Sequence, residues 1–236
     1  MGLGHSPRII SDGLIFYLDA GNPRCYAGTG LTASSLTGSL QSSLVNGVGF
    51  SSVNNGFFSL DGTNDYLKIN NNAILQPTYL TLELWFKLNV SLSSQPTAFP
   101  LLLDKFTLAS QSGYRILFDR GIDELQFTMF NTAQDNAAAI TGAAAKISTN
   151  WNCVHGTYDG SQAKIYLNGI LQQTLTRSFT ISYNNEDIYL GTFYEPTYGF
   201  LHYINANISK LHIYNRALSA SEVLQNYNAT KGRFGL

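Results

Sequence analysis

Residues 151–176 limit the fold more than any other part of the chain. Asp159-Gly160 and Asn168-Gly169 punctuate this stretch, and such dipeptides supply the positive φ angles that tight hairpins need. The segments around them therefore predict a three-strand antiparallel meander, ending at Tyr158, spanning 163–167 and restarting at Ile170. Between Leu80 and Leu88, the side chains Leu80, Leu82, Leu84, Phe86 and Leu88 alternate with Thr81, Glu83, Trp85 and Lys87. A period of two puts the first set on one face of a pleated strand and the second on the other. Residues 114–118 and 124–130 flank a turn at Arg120-Gly121 and read as a hairpin, with Ile116, Phe118, Phe127 and Met129 turned inward. Further strands are predicted at 14–19, 57–60, 66–69, 187–191 and 208–214. Many short strands without intervening helices exclude a doubly wound or (β/α)8 architecture.

One helix is predicted, at the C-terminal end. Ser219 and Glu222 have the spacing of a capping box, and Val223, Leu224 and Tyr227 follow at helical intervals, so 220–228 should be a short amphipathic helix packed on the sheets. Segments 32–55 and 131–150 read as loops.

The 236 residues suit one large all-β domain, 13–236, behind an N-terminal arm of residues 1–12. Charged residues are 12% of the chain, against roughly 25% in ordinary soluble domains, so the surface must be dressed with neutral polar groups. With 14 basic and 15 acidic residues the net charge is -1; no field draws in nucleic acid or anionic lipid. The apolar cluster 99–103 stops at Asp104-Lys105, far short of the ~20 residues a membrane-spanning helix requires. The N-terminus lacks the apolar run of a secretory signal. Cys25 and Cys153 lie in unlike contexts that argue against a bridge.

Two clusters carry candidate chemistry. Asp61, Asn64 and Asp65 gather three oxygen-bearing side chains at a strand junction; they suit a calcium ion, or simply a tight turn. Residues 192–205 hold Phe193, Tyr194, Tyr198, Phe200, His202 and Tyr203. These rings suit sugar stacking, contact with a neighbouring protein, or internal packing. His5, His155, His202 and His212 show no metal-binding or nucleophile spacing.

An ordered series of motifs then becomes recognisable. It runs through Gly13-Leu14-Ile15-Phe16-Tyr17-Leu18-Asp19, Leu60-Asp61-Gly62-Thr63-Asn64-Asp65-Tyr66, Thr81-Leu82-Glu83-Leu84-Trp85-Phe86, Tyr158-Asp159-Gly160, Lys164-Ile165-Tyr166-Leu167-Asn168-Gly169 and Ile213-Tyr214-Asn215-Arg216-Ala217-Leu218-Ser219. The set resembles the laminin-G-like members of the concanavalin A-like lectin/glucanase superfamily and spans nearly the whole chain. The resemblance implies an all-β jelly-roll sandwich of two antiparallel sheets with a short C-terminal helix. Hydrolases of that superfamily carry acidic residues at alternate positions on one strand, to flank a sugar bond. Here Glu83 is followed on its own face by Trp85 and Lys87; the pair is missing, and no enzymatic activity is expected.

The terminal blocks, through Asn22-Pro23 and from Gln225 to Gly235, resemble stand-alone laminin-G-like proteins of tailed-phage virions. That implies a non-enzymatic protein of the virion surface, a capsid decoration or fibre-like component. Its expected partners are other virion proteins, further copies of itself and host-surface glycans. The alternative is a free, calcium-dependent carbohydrate-binding lectin using Asp61, Asn64 and Asp65. Where relatives have a Trp and an Asp/Asn-rich segment, this chain has Leu31-Thr32-Ala33-Ser34-Ser35-Leu36-Thr37-Gly38-Ser39, which weakens any inherited ligand or calcium site there.

Overall fold

The computed structural model describes residues 7–131, 135–141 and 147–236, with backbone alone at 135–138 and 140. In chain order its strands are β1 (Leu14–Asp19), β2 (Thr32–Ser34), β3 (Gln41–Val45), β4 (Gly49–Ser51), β5 (Phe57–Asp61), β6 (Tyr66–Ile69), β7 (Leu80–Leu88), β8 (Leu101–Thr107) and β9 (Ser112–Asp119). There follow β10 (Glu124–Asn131), β11 (Asp135–Ile140), β12 (Trp151–Tyr158), β13 (Gln162–Leu167), β14 (Ile170–Thr176), β15 (Ile188–Leu190), β16 (Phe193–Glu195), β17 (Gly199–Leu201) and β18 (Asn205–Tyr214), then the helix α1 (Ala220–Thr230).

Among the described residues these strands build two eight-stranded antiparallel sheets. The first has the order β14-β13-β12-β7-β18-β5-β4, with β1 also paired to β18; the second has the order β11-β10-β9-β8-β15-β6-β3-β2. This is the concanavalin A-like jelly roll. The alternation in β7 does what its period demands: Leu80, Leu82, Leu84, Phe86 and Leu88 are fully buried between the sheets. They meet Tyr114, Ile116, Phe118, Leu125, Phe127 and Met129 of the predicted hairpin in one continuous core. Phe86 and Phe118 touch edge to face across the sandwich, with ring centroids 5.7 Å apart. Gly156 on β12 permits the approach of the opposite sheet, because a Cβ there would lie 2.4 Å from the Phe127 ring.

The other face of β7 is not solvated as alternation alone would suggest. Thr81, Glu83 and Trp85 are fully buried because α1 and the residues after it lie across that face of the first sheet. Trp85 is stacked between Tyr227 and Phe234, at centroid distances of 5.7 and 4.2 Å. The helix begins with the expected capping box, Ser219 and Glu222 each bonding the other's backbone N–H, and Arg216 grips the Glu222 carboxylate through two nitrogens at 3.0 and 2.7 Å. Ile10 joins the same clasp, since its N–H donates to Asn226 and its carbonyl accepts from the Tyr214 hydroxyl.

Two readings need correction. Segment 32–55 contains β2, β3 and β4, and 131–150 contains β11, while 132–134 and 142–146 lie outside the described residues. Ser-, Gly- and Ala-rich sequences pair at a sheet edge without displaying an apolar alternation. β8 runs on past the apolar cluster 99–103 through Asp104 and Lys105, each only 1% exposed. Lys105 is accommodated by donating to the Asn71 side chain and the Glu186 carbonyl. Cys25 and Cys153 are buried, unbridged thiols.

Candidate functional site

The aromatic segment 192–205 forms a hairpin of β16 and β17 lying over the outer face of the second sheet. Its register pairs Phe193 with Leu201 and Tyr194 with Phe200, and alternation then sends the rings two ways. Phe193 and Leu201 pack with Leu101, Phe106, Leu117 and Phe130. Phe200 stacks on Tyr66 at 4.5 Å and meets Tyr189 and Tyr194 at 5.5 and 5.0 Å. Tyr198, at the tip, is 73% exposed; Tyr203 is half-buried beyond the hairpin. The six rings named from the sequence thus divide between packing and a surface.

Beside Phe193 the hairpin leaves a cleft of about 230 Å³, walled by Phe99, Leu108 and His202, floored by Leu101, Leu117 and Phe193, with Arg115 and Gln126 opening into it. The elements explain this set. On β9 and β10 the residues alternate with the inward Ile116 and Leu125, so Arg115, Leu117 and Gln126 must face outward. The His202 ring lies 6.0 Å from Phe99 and 6.2 Å from Phe193, held there by a left-handed backbone angle of φ 59. Burial and the nearby Arg115 charge both lower its pKa, favouring the neutral imidazole. The Arg115 guanidinium lies over the Phe106 and Phe130 rings at 4.5 and 4.9 Å. Asp104, opposite Arg115 in the β8–β9 ladder, has its carboxyl pushed up to about 7 by burial, although Arg115 opposes the shift. Two other hollows, of about 310 Å³ beside Tyr26 and Phe50 and about 330 Å³ beside Tyr79 and Phe179, have no charged side chain in their lining.

A second polar group, invisible in the sequence, lies under α1. Glu83 on β7 stands opposite His155 on β12 and His212 on β18, so strand register lines up three residues distant along the chain. One Glu83 oxygen is 2.9 Å from His212 Nδ1 and 3.4 Å from His155 Nε2, and accepts from Asn226 at 2.8 Å. Burial alone would raise the Glu83 pKa, but His212 and His155 hold it well below the usual carboxylate range. Cys153 Sγ lies 3.7 Å from His155 Nδ1.

The model of the concanavalin A-like lectin/glucanase superfamily matches residues 61–224. The chain belongs to this superfamily. No curated protein sequence matches it. Solved structures share the fold: the binding domain of botulinum neurotoxin DC in complex with SialylT (TM-score 0.73, 16% identity, 93% of this chain and 52% of that one), and the botulinum neurotoxin serotype D ligand binding domain in complex with N-acetylneuraminic acid (0.71, 14%, 92% and 51%). The type G receptor binding domain is similar (0.67, 16%, 92% and 51%). The chain spans about half the length of each.

Against the superfamily's hydrolases, the carboxylate on β7 is placed unhelpfully for a substrate: Glu83 has no exposed surface and is shut beneath Asn226. A calcium ion at Asp61, Asn64 and Asp65 would need converging oxygens. At the strand junction, Asp61 Oδ1 instead accepts from the N–H groups of Thr63 and Asn64, and Asp65 Oδ2 from that of Asp61. The Asn64 carbonyl accepts from Asn46. These are the bonds of a tight turn. Among the described residues, Glu83, Cys153 and His155 offer metal-ligand atoms within 4.8 Å of one another; a thiol and an imidazole suit a zinc-like ion better than calcium.

Proposed function

We propose that this laminin-G-like domain is a non-enzymatic adhesion module that binds a glycan in the cleft beside β16 and β17, on the surface of a tailed-phage particle. The carrying observation is the cleft, where the partly exposed Phe99 ring faces Arg115, Gln126 and His202 across an apolar floor. Sugar rings have apolar faces that stack on aromatic side chains, and a few convergent polar groups then fix their orientation. Glycan ligands in two solved structures of the same fold support the reading. Resemblance of the terminal blocks to phage virion proteins supports the location, as a capsid decoration or fibre-like component. There, symmetric copies would multiply a weak contact into firm adhesion. Burial of Glu83 supports a binding rather than a hydrolytic role.

The test is a glycan array probed with the purified protein and with Phe99→Ala, alongside peptide identification in purified particles. Binding lost in the variant, and the chain found in particles, are the expected results; an array with no signal above background ends the adhesion reading. A calcium-dependent lectin is the second reading. It is favoured by one feature: Asp65 is buried beside Asp61, and burial together with that neighbouring charge raises its pKa, a repulsion a cation would relieve. Loss of array binding in chelator, restored by calcium and abolished in Asp65→Ala, would establish it.

A further inference from the structure

Arg115 is the one cation opening into the cleft among its described lining residues. Its guanidinium carbon lies 4.5 and 4.9 Å from the Phe106 and Phe130 ring centroids, and among the described residues its Nε has no hydrogen-bond partner. Around it three more buried polar atoms lack partners among the described residues: Asp104 Oδ1, Thr128 Oγ1 and His202 Nδ1. Asp104 and Thr128 stand directly opposite Arg115 on the two neighbouring strands and are 1% and 5% exposed. Buried polar groups are normally satisfied. Arg115 thus lines the cleft with hydrogen-bonding capacity that the described residues around it leave unused.

We propose that this cleft takes a terminal sugar bearing a carboxylate, of the sialic or uronic acid class, with Arg115 gripping the carboxylate. The assignment rests on the glycan-binding reading above and narrows it. The planar fork of Arg matches a carboxylate through two parallel N–H bonds, and Arg115 lines the cleft where such a group would enter. Phe99 then walls the sugar ring, while Gln126 and His202 meet its hydroxyls. At about 230 Å³ the cleft is smaller than the roughly 300–1,000 Å³ typical of larger ligands, so it holds one ring at a chain end.

Isothermal titration of the full chain tests this, using the methyl glycoside of N-acetylneuraminic acid, methyl glucuronide, the methyl ester of each, methyl glucoside and inorganic phosphate. One or both acids should bind at least roughly tenfold more tightly than the matching ester and than methyl glucoside, the scale of a charge-assisted pair. Arg115→Gln should erase that preference, and Arg115→Lys should restore only part of it. Should either variant melt early, the acid-to-ester comparison on the unmodified protein decides alone. Equal binding of acid and ester overturns the proposal while leaving glycan binding intact. Phosphate competing as well as the acids overturns it in favour of a simple anion site, and no binding of any sugar overturns both readings.

Discussion

Replacing Asp104 with asparagine should make the protein's stability less sensitive to pH between 5 and 8. Asp104 is 1% exposed, and burial, the largest effect, pushes its carboxyl from 3.8 up to about 7; Arg115 opposes the rise and Glu186 adds to it. Between these two values the folded protein keeps a proton that the unfolded chain has released. Stability therefore falls by about 1.4 kcal/mol for each pH unit climbed. The contribution is whole below 3.8 and is lost as pH rises through about 7. The full shift corresponds to about 4 kcal/mol, of which roughly 3 is lost between pH 5 and 8. Asparagine keeps the size and retains an oxygen for the Phe106 N–H, which Asp104 accepts at 3.2 Å, but carries no charge. Urea unfolding of both proteins at pH 5 and pH 8 measures the effect. Subtracting one protein from the other cancels what they share, including the opposing contribution of His202 and the parallel one of Glu186. The variant should gain on the parent by about 3 kcal/mol over that range. A difference constant within about 0.5 kcal/mol would refute the reasoning, because Asp104 would then hold the same charge at both pH values.

Two further substitutions probe the packing that positions the site. Gly156→Ala places a methyl group 2.4 Å from the Phe127 ring and should cost about 1–3 kcal/mol in urea unfolding, with much of the loss recovered in the double variant carrying Phe127→Leu; no recovery would mean that the two sheets do not meet there. Glu222→Ala removes the capping box and both bonds to Arg216, at a cost of about 1–2 kcal/mol at neutral pH. Arg216 is the main cause of the low Glu222 pKa, about 2 against 4.5. That stabilisation is present above 4.5 and fades as pH falls through about 2, so the parent and variant should converge in acid unfolding curves; a gap that persists there would reject the ionic part of the cap.

Local order in this protein was readable because it is written in short-range periods. Alternation from Leu80 to Leu88, the Asp159-Gly160 and Asn168-Gly169 turns and the Ser219/Glu222 cap each act within a few residues, and each element formed where its pattern lies. Tertiary structure alone decided what the outward faces meet. Nothing near Glu83 in the chain announces His155, His212 or Asn226; strand order and register bring them together, and α1 then seals them from water. The cleft arose in the same way. Phe193 and His202 were visible as members of an aromatic segment, but Arg115 and Gln126 join them only because β9 and β10 pass beneath the hairpin. Backbone sterics and turn chemistry act between neighbours, so the sequence by itself determined the strands, the helix and the inward face of the sandwich. A binding surface is made of side chains from distant segments, and long-range pairing had to set their distances before it existed.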